Sequence, residues 1–536
     1  MSIQKLLRRG AAMGAIAVGL AAAAAGMAPV EAKTFKWAND GDIGSMDPHH
    51  RNETFSLGLL ENVYEPLARR DKNLKLEPAL ATEWKQVSPL LWRILLRQNV
   101  KFHDGTPFSA DDVVFSLARA NSPGSNMTGY FTSVKEVRKI DANTVEIDTK
   151  VPDALLMEKF ATIFIMSKAW SEKNNAQNSI DLTKKEENFA TRNSNGTGPY
   201  MLKSREPDVQ TILVKNPTWW DKPISNVDEV LFRRIPNDAT RVAALLSGEI
   251  DMMYTVPPQD TERLSKTQGV KVLIKPETRV VYLIFDVARE ELQYSSVKGK
   301  NPFKDKRVRE AFYIAIDVET IKTRIMRNQS APTALLVAPG LSGYIKEVDV
   351  RPKYDPERAK KLMTEAGFPN GFEITMNCPN DRYVNDEKIC QAAAAMLARI
   401  NVKVNLQAET RSKYFGKVMG PKYDANFMML GWAPATYDVH NSFENLLQTR
   451  NAQTRKGFFN LGGWSNAEFD ALSDQIATEI DLAKRNELIK KAHQIMLAEF
   501  PIIALHQQAL VWATRANVEM EQPADNRIPY RFINMK

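Results

Sequence analysis

The 536-residue chain is too long for a single hydrophobic core, so we expect two or more domains. Hydrophobic residues make up 43% and charged residues 25% of the sequence, which is ordinary for globular proteins. The net charge of +8 is small for this length, and no block of five or more Lys or Arg residues occurs. We therefore expect no nucleic-acid partner.

The N-terminus has the order of features found in a secretory signal peptide. Lys5, Arg8 and Arg9 precede an apolar run over residues 11–25, and compact residues at 30 and 32 offer a cleavage site. Removal of residues 1–32 deletes three basic residues and one acidic residue, which lowers the net charge from +8 to +6. The alternative is an uncleaved membrane anchor, but the run is rich in Ala and Gly and therefore only weakly hydrophobic. No cysteine lies near the cleavage site to carry a lipid, so we expect a soluble periplasmic protein.

Short strand patterns alternate with amphipathic helix patterns along the rest of the chain. Predicted strands cover residues 34–37, 92–96, 144–147, 280–285, 372–376 and 402–406. Predicted helices cover residues 55–64, 109–118, 241–247, 307–316, 355–366 and 485–500. This alternation indicates an α/β fold with largely parallel sheets.

The chain has two cysteines, Cys378 and Cys390. In an exported protein, such a pair favours one disulfide over two free buried thiols. A closed loop of this size stabilises the fold by about 3 kcal/mol. No His or Cys cluster accompanies the pair, so we expect no metal there.

Signatures of catalysis are missing: the sequence contains no H-E-x-x-H, no phosphate-binding G-x-x-x-x-G-K-[ST] and no G-x-S-x-G. His49 and His50 are adjacent and could bind a metal such as nickel, although a polar loop is the better interpretation. His103 and Asp104 resemble a base with its orienting carboxylate, but they lie in a turn without an assignable nucleophile, and we expect a structural role. We predict neither an enzyme nor a cofactor.

Several motifs in a fixed order carry a family resemblance. They include PALA at 78–81, WRILLR at 92–97, VKFHDGTPF at 100–108, ADDVVFS at 110–116 and GTGPY at 196–200. Further matches lie at 216–220, 245–251, 307–317, 354–356 and 365–367, so the resemblance runs from about residue 34 to 530. The chain resembles the family 5 extracellular solute-binding proteins of bacterial ABC importers, the dipeptide, oligopeptide and nickel class.

The resemblance implies a type II periplasmic binding protein fold with two lobes around a ligand cleft. The first lobe would comprise residues 33–75, 193–275 and 508–536, with a subdomain inserted at 76–192. The second lobe would comprise residues 276–507, and strands near 280–285 and 503–506 would form the hinge. The implied role is a monomeric receptor that captures a peptide-like or other carboxylate-bearing solute and delivers it to the membrane permease. Carriage of a nickel or other metal chelate and a periplasmic hydrolase remain as alternatives.

Peptide-binding relatives commonly carry an Asp three residues after a Trp, where it pairs with the peptide ammonium. In this chain that position, three residues after Trp432, is Ala435, which cannot form the ion pair. Asp438 could substitute, or it could be a turn or cap residue. Tyr437 and Trp432 are candidates for aromatic walls of the cleft.

A carboxylate anchor is expected at Arg382, because dipeptide-binding relatives place a carboxylate-binding Arg at the matching position. The planar fork of a guanidinium suits bidentate contacts with a carboxylate. The alternative for Arg382 is a surface ion pair with Asp381 or Asp386. The neighbouring Tyr383 is a further candidate for a cleft wall.

Overall fold

The computed structural model describes residues 32–180, 186–222, 224–418 and 423–536. Residues 1–31 of the predicted signal peptide lie outside the described residues. No helix in the described ranges is long and apolar enough to cross a membrane. The described α-helices are Thr54–Leu60, Ala110–Ala120, Leu156–Phe160, Lys168–Lys173, Phe189–Arg192, Asp238–Ser247, Pro258–Ser265, Lys306–Ala315, Val318–Thr320, Pro356–Glu365, Asp386–Leu397, Arg411–Val418, Val439–Ser442, Ala467–Thr478 and Leu482–Glu499.

The strands form one large sheet, a smaller four-stranded sheet and two short hairpin-like pairs. In chain order they are β1 Thr34–Asn39, β2 Ala68–Arg70, β3 Leu76–Pro78, β4 Ala81–Ser88, β5 Leu91–Leu96, β6 Val134–Asp141, β7 Thr144–Thr149, β8 Tyr200–Glu206, β9 Gln210–Lys215, β10 Glu229–Arg234, β11 Met252–Tyr254, β12 Val270–Phe285, β13 Ser330–Pro332, β14 Glu373–Pro379, β15 Lys403–Glu409, β16 Phe427–Trp432, β17 Ile502–Arg515, β18 Val518–Glu519 and β19 Asn534–Met535.

The large sheet has the order β15-β14-β16-β12-β17-β11-β1-β10-β9-β8, with β13 paired to β17. It confirms the α/β class, but the prediction of largely parallel pairing is wrong. Pairing is parallel for β1 with β10 and β11 and for β14 with β15 and β16, and antiparallel for β12, β17 and the β8–β9–β10 meander. The short connection 207–209 allows only antiparallel pairing of β8 with β9.

Two long strands join the two ends of this sheet. β12 pairs with β17 along nearly its whole length, and the register shifts between Pro276 and Val280. Before the shift, the pair lies beside β11, which pairs with residues 512–514 of β17. After the shift, β12 pairs with β16 through residues 280–285. The predicted strands at 280–285 and 503–506 are thus confirmed as neighbours, and the chain crosses between the two ends of the sheet twice.

Apolar side chains alternate to the two faces of these strands, as the period of a strand requires. Val281, Leu283 and Phe285 belong to one buried cluster, which contains the helices Lys306–Ala315 and Asp386–Leu397. Val280, Tyr282 and Ile284 belong to another, beneath residues 335–341 and the helix Leu482–Glu499. A third and larger cluster gathers β1, the helix Thr54–Leu60, the four-stranded sheet and the C-terminal residues. The structure therefore has separate cores on the two sides of the crossing.

The four-stranded sheet, in the order β4-β5-β7-β6, contains much of the family signature. The helix Ala110–Ala120 begins with a capping box formed by Ser109 and Asp112, which satisfies free backbone N–H groups. Phe102 is buried in the large apolar cluster. The signature residues therefore act mainly as scaffold.

Candidate ligand-binding site

The crossing of β12 and β17 holds a buried polar cluster around Glu277. Its Oε1 accepts hydrogen bonds from Nε of Arg279 (2.9 Å) and Nε2 of Gln508 (3.1 Å), and Oε2 accepts one from Asn526. Gln507 donates to the backbone oxygen of Glu277 at 2.7 Å. Burial raises the pKa of the Glu277 carboxyl despite the opposing charges of Arg279 and Arg382. These contacts fix the backbone where the two strands cross.

Arg279 has two guanidinium nitrogens available for a ligand. The residue is 9% exposed, and only its Nε has a hydrogen-bond partner within the described part of the chain. Burial lowers the pKa of this guanidinium, but the Glu277 carboxylate and the Tyr383 and Tyr254 hydroxyls outweigh that effect and raise it. A Cβ at Gly431 would lie 3.3 Å from Cδ of Arg279 and 2.8 Å from Cε1 of Tyr383, so this glycine makes room for both side chains.

Arg382 and Tyr383 lie in the loop between β14 and the helix Asp386–Leu397. Asp386 accepts the backbone N–H groups of both residues at 2.9 Å, and burial raises the pKa of its carboxyl to about 6. The Arg382 guanidinium lies 5.2 Å from the Tyr383 ring, and none of the described carboxylates is within ion-pair distance of it. The Tyr383 hydroxyl accepts the N–H of Gly431 at 2.9 Å. The loop therefore carries the Arg382 charge close enough to act on the Glu277 carboxyl, and in the described residues Arg382 does not form the surface ion pair considered from the sequence.

A disulfide between Cys378 and Cys390 confirms the cysteine prediction. Cys378 is the last residue but one of β14, and Cys390 lies in the helix Asp386–Leu397, so the bond encloses the Arg382 loop. Replacing both cysteines with serine is expected to lower the free energy of unfolding by about 3 kcal/mol, because the unfolded chain loses its cross-link. Urea denaturation of the oxidised wild type and the double variant measures this difference. An unchanged midpoint would contradict it.

The opposite wall of this space carries acidic groups around Tyr254, the last residue of β11. Asn39 donates to its backbone oxygen at 2.6 Å, and its ring stacks on Phe55 at 6.3 Å. Burial, together with the Glu277, Glu53 and Asp40 carboxylates, raises the pKa of the Tyr254 hydroxyl.

Glu53 and Asp40 each have one carboxylate oxygen without a hydrogen-bond donor among the described residues. Glu53 caps the helix Thr54–Leu60 through Oε2, which accepts from Ser56 N–H and Oγ. Asp40 accepts only the Gly41 N–H, at 2.9 Å. In the described ranges neither carboxylate forms an ion pair, so both can offer an oxygen to a cation.

The loop after β16 contains the other predicted site residues. Trp432 packs against Phe459 with ring centroids 5.0 Å apart, and its Nε1 donates to Oδ1 of Asn441 at 3.0 Å. Ala435 packs against the large apolar cluster on the far side of the crossing. A carboxylate at position 435 would therefore be placed against apolar surface.

Tyr437 and Asp438 both form hydrogen bonds with other side chains. The Tyr437 hydroxyl donates to Oδ2 of Asp525 at 2.7 Å. Asp438 is 1% exposed and accepts from both Nη atoms of Arg485 at 2.8 Å, from Ser342 Oγ at 2.6 Å and from His440 N–H at 2.8 Å. These bonds occupy both carboxylate oxygens, so the contacts favour the cap role of Asp438 over a ligand role.

Two of the histidine candidates, His49 and His103, are held by structural contacts. His49 uses both ring nitrogens, one with the Phe164 backbone oxygen (2.9 Å) and one with Arg119 (3.0 Å). His103 contacts Gly198 and Gly196 through its two nitrogens, as the predicted structural role requires. The described residues contain no group of three or more His, Cys, Asp or Glu side chains able to hold a metal. The nickel hypothesis thus loses the residue pair on which it depended.

Sequence reasoning missed Glu277, Arg279 and Tyr254. A signal for the first two was present: the Glu-Thr-Arg triplet at 277–279 directly precedes the apolar run 280–285. A charged pair at the edge of a buried strand needs partners or a function. Tyr254 gave no comparable signal, because it is the last residue of an ordinary short strand.

The mixed sheet, with two crossing strands between its halves and a cluster of charged groups at the crossing, is the type II periplasmic binding protein fold. The family model "Bacterial extracellular solute-binding proteins, family 5 Middle" matches residues 75–454. The chain belongs to this family, and its role is that of a solute-binding receptor of an ABC importer.

Similar proteins agree in sequence and in fold. The glutathione-binding protein GsiB of Escherichia coli K12 is 26% identical over 513 residues, which cover 94% of this chain and 95% of GsiB. The periplasmic binding protein DppA of Helicobacter pylori, in complex with the peptide STSA, superposes with a TM-score of 0.78 at 24% identity and covers 94% of this chain and 98% of its own. AgaA of A. tumefaciens R10, in complex with agropinic acid, has a TM-score of 0.78 at 21% identity and covers 94% and 99%.

Proposed function

We propose that the chain is exported to the periplasm with loss of residues 1–32 and captures a small carboxylate-bearing solute between two lobes. The first lobe comprises residues 33–75, 193–275 and 508–536 with the subdomain 76–192, and the second comprises residues 276–507. The protein works as a monomer without enzymatic activity and hands the solute to the permease. Closure around the solute is a hinge motion at the crossing of β12 and β17.

The observation that carries the proposal is the pair of guanidinium groups at this crossing. Arg279 offers two nitrogens without described partners, and Arg382 has no ion pair. A buried cation without a full set of partners is costly, and a carboxylate that accepts bidentate bonds removes that cost. Placement at the hinge means that a bound carboxylate contacts groups that move when the lobes close.

The acidic groups near Tyr254 indicate a second charged group on the solute. The Tyr254 hydroxyl lies within electrostatic range of the Glu53 and Asp40 carboxylates and of the Arg279 guanidinium. We assign to the two carboxylates an ammonium or other cationic group of the same solute, in place of the missing Asp at position 435. Glutathione and the peptide STSA, which the similar proteins bind, carry both groups, whereas free nickel carries no carboxylate.

A thermal-shift screen of the mature protein tests the function. The panel contains glutathione, short peptides, their C-terminal amides, opines and nickel with histidine. We expect carboxylate-bearing members to raise the melting temperature, because ligands that bind only the folded state stabilise it. The amide of each peptide should give little or no shift.

Two controls sharpen the screen. Arg399 is an exposed arginine in the same proposed lobe as Arg382, and it donates to the Tyr354 hydroxyl. Arg399→Ala should leave every shift of the melting temperature unchanged. Mass spectrometry of solute recovered after incubation should find it intact, as expected of a receptor. A panel in which only carboxylate-free compounds bind, or in which peptides are cleaved, would refute the proposal.

A further inference from the structure

Residues 433–438, which follow β16 and are here named the latch loop, reach across the cleft to the other proposed lobe. The Arg70 guanidinium, at the end of β2, lies 4.0 Å from the Tyr437 ring centroid and donates to the Thr436 backbone oxygen at 3.3 Å. On the far side of the ring, the Tyr437 hydroxyl donates to Asp525 at 2.7 Å. Tyr437 is therefore enclosed by the N-terminal and C-terminal parts of the first lobe and is 9% exposed.

Apolar contacts accompany these polar ones in both directions. Ala435 of the latch loop packs against the large cluster of the first lobe. Leu74, in the turn between β2 and β3, packs against the cluster beneath the helix Leu482–Glu499 of the second lobe. The latch loop and the β2–β3 turn thus each pack one side chain against the core of the other lobe.

The surroundings hold the latch loop in one conformation. Tyr437 has a φ of 57°, a region that bulky residues rarely adopt without fixed contacts. Arg70 is itself oriented by Glu158 and by the Leu74 backbone oxygen, which its Nη1 contacts at 2.8 Å. The Asp438–Arg485 pair anchors the loop at its end. The latch loop, fixed in one conformation, therefore contacts an Arg70 guanidinium that is already oriented.

We propose that Arg70, Tyr437 and Asp525 form a latch that stabilises the closed receptor without touching the solute. This inference rests on the proposed two-lobed receptor. The contacts join opposite lobes, so they exist only when the lobes are closed, and they shift the population of the closed state for any ligand. Tyr437 is thus a positioning residue for closure and not the cleft wall expected from the sequence.

Small-angle X-ray scattering and hydrogen–deuterium exchange of the ligand-free mature protein test the latch directly. Tyr437→Leu removes the ring and the hydroxyl, and Arg70→Gln removes the charge. Each variant should lower the ratio of closed to open molecules about tenfold, since a cation–π contact and a buried hydrogen bond are lost. The radius of gyration should increase, and the amides of residues 434–438 should exchange faster.

Matched variants separate the latch from general destabilisation. Tyr437→Phe keeps the ring beneath Arg70 and loses only the bond to Asp525, so its ratio of closed to open molecules should lie between those of wild type and Tyr437→Leu. Lys72→Ala removes a nearby exposed cation, paired with Glu521, and should leave this ratio unchanged. The double variant Arg70→Gln/Tyr437→Leu should be less open than the sum of the two single effects predicts, because both substitutions break the same cation–π contact.

Binding measurements with an alanine tripeptide and its C-terminal amide distinguish this inference from the proposed function. Latch variants should weaken both probes by the same factor, whereas loss of Arg382 should weaken binding of the acid and leave that of the amide unchanged. If neither probe nor any other panel member binds, the ligand proposal fails while the scattering still tests the latch. Unchanged radius of gyration and unchanged exchange in both Tyr437→Leu and Arg70→Gln would overturn the latch.

Discussion

Arg382→Ala is expected to weaken binding of a carboxylate-bearing solute by about 10- to 100-fold, because a hydrogen bond to a charged group contributes about 1.5–3 kcal/mol. The side chain forms no ion pair in the described residues, so its removal leaves no buried charge behind. Isothermal titration calorimetry of the wild type and the variant measures the ratio directly. The melting temperature without ligand should stay the same.

The same titration with the amide of the solute provides the specificity test. Wild type should prefer the acid, and Arg382→Ala should lose most of that preference. Arg279→Gln should have a larger effect on affinity, but it also deprives Glu277 of its counterion and so lowers stability. Equal affinities of wild type and Arg382→Ala for the acid would show that the anchor is assigned to the wrong residue.

Asp438→Ala should lower the free energy of unfolding by about 3–5 kcal/mol, the cost of removing one partner from a buried ion pair. Arg485 would be left buried, and Ser342 Oγ and His440 N–H would lose their acceptor. Burial raises the pKa of Asp438, but Arg485 and the other donors outweigh it and hold the pKa below its ordinary value. The stability that the pair contributes is therefore present above pH 3.8 and is lost as pH falls further.

Urea denaturation at pH 7 checks this result, with Glu373→Ala as the control. Glu373 pairs with Lys403 at the protein surface, where ion pairs contribute little, so its removal should leave the midpoint unchanged. If Asp438→Ala unfolds at the wild-type urea concentration but loses ligand, Asp438 belongs to the ligand site after all.

The local structure was largely predictable from the sequence. Strand patterns at 34–37, 92–96 and 280–285 and the helix starts at Ser109 and Asp355 follow from periodicity and capping, and the structure contains each of them. The pairing direction was not predictable, because strand patterns do not reveal which distant strands are neighbours. The antiparallel course of β12 and β17 follows from the double crossing, which is a property of the whole chain.

Only the part of the site that lies on one continuous segment of the chain was predictable. The loop with Arg382 and Tyr383 lies between two cysteines, and its position follows from the family pattern. Arg279 and Tyr254 are 25 residues apart in sequence and come close only because β11 and β12 both pair with β17. Asp438 was misleading in sequence, because its acidic side chain and its position suggested a ligand contact. In the structure its carboxylate is bound by Arg485, which lies on a helix distant in sequence.

A crystal structure of the mature protein with the tightest-binding solute of the screen is the most direct test of the central claim. It should show a solute carboxylate within hydrogen-bonding distance of Arg279 and Arg382, with the latch loop in contact with Arg70. A solute bound away from the crossing of β12 and β17, or one whose carboxylate contacts neither arginine, would contradict the claim.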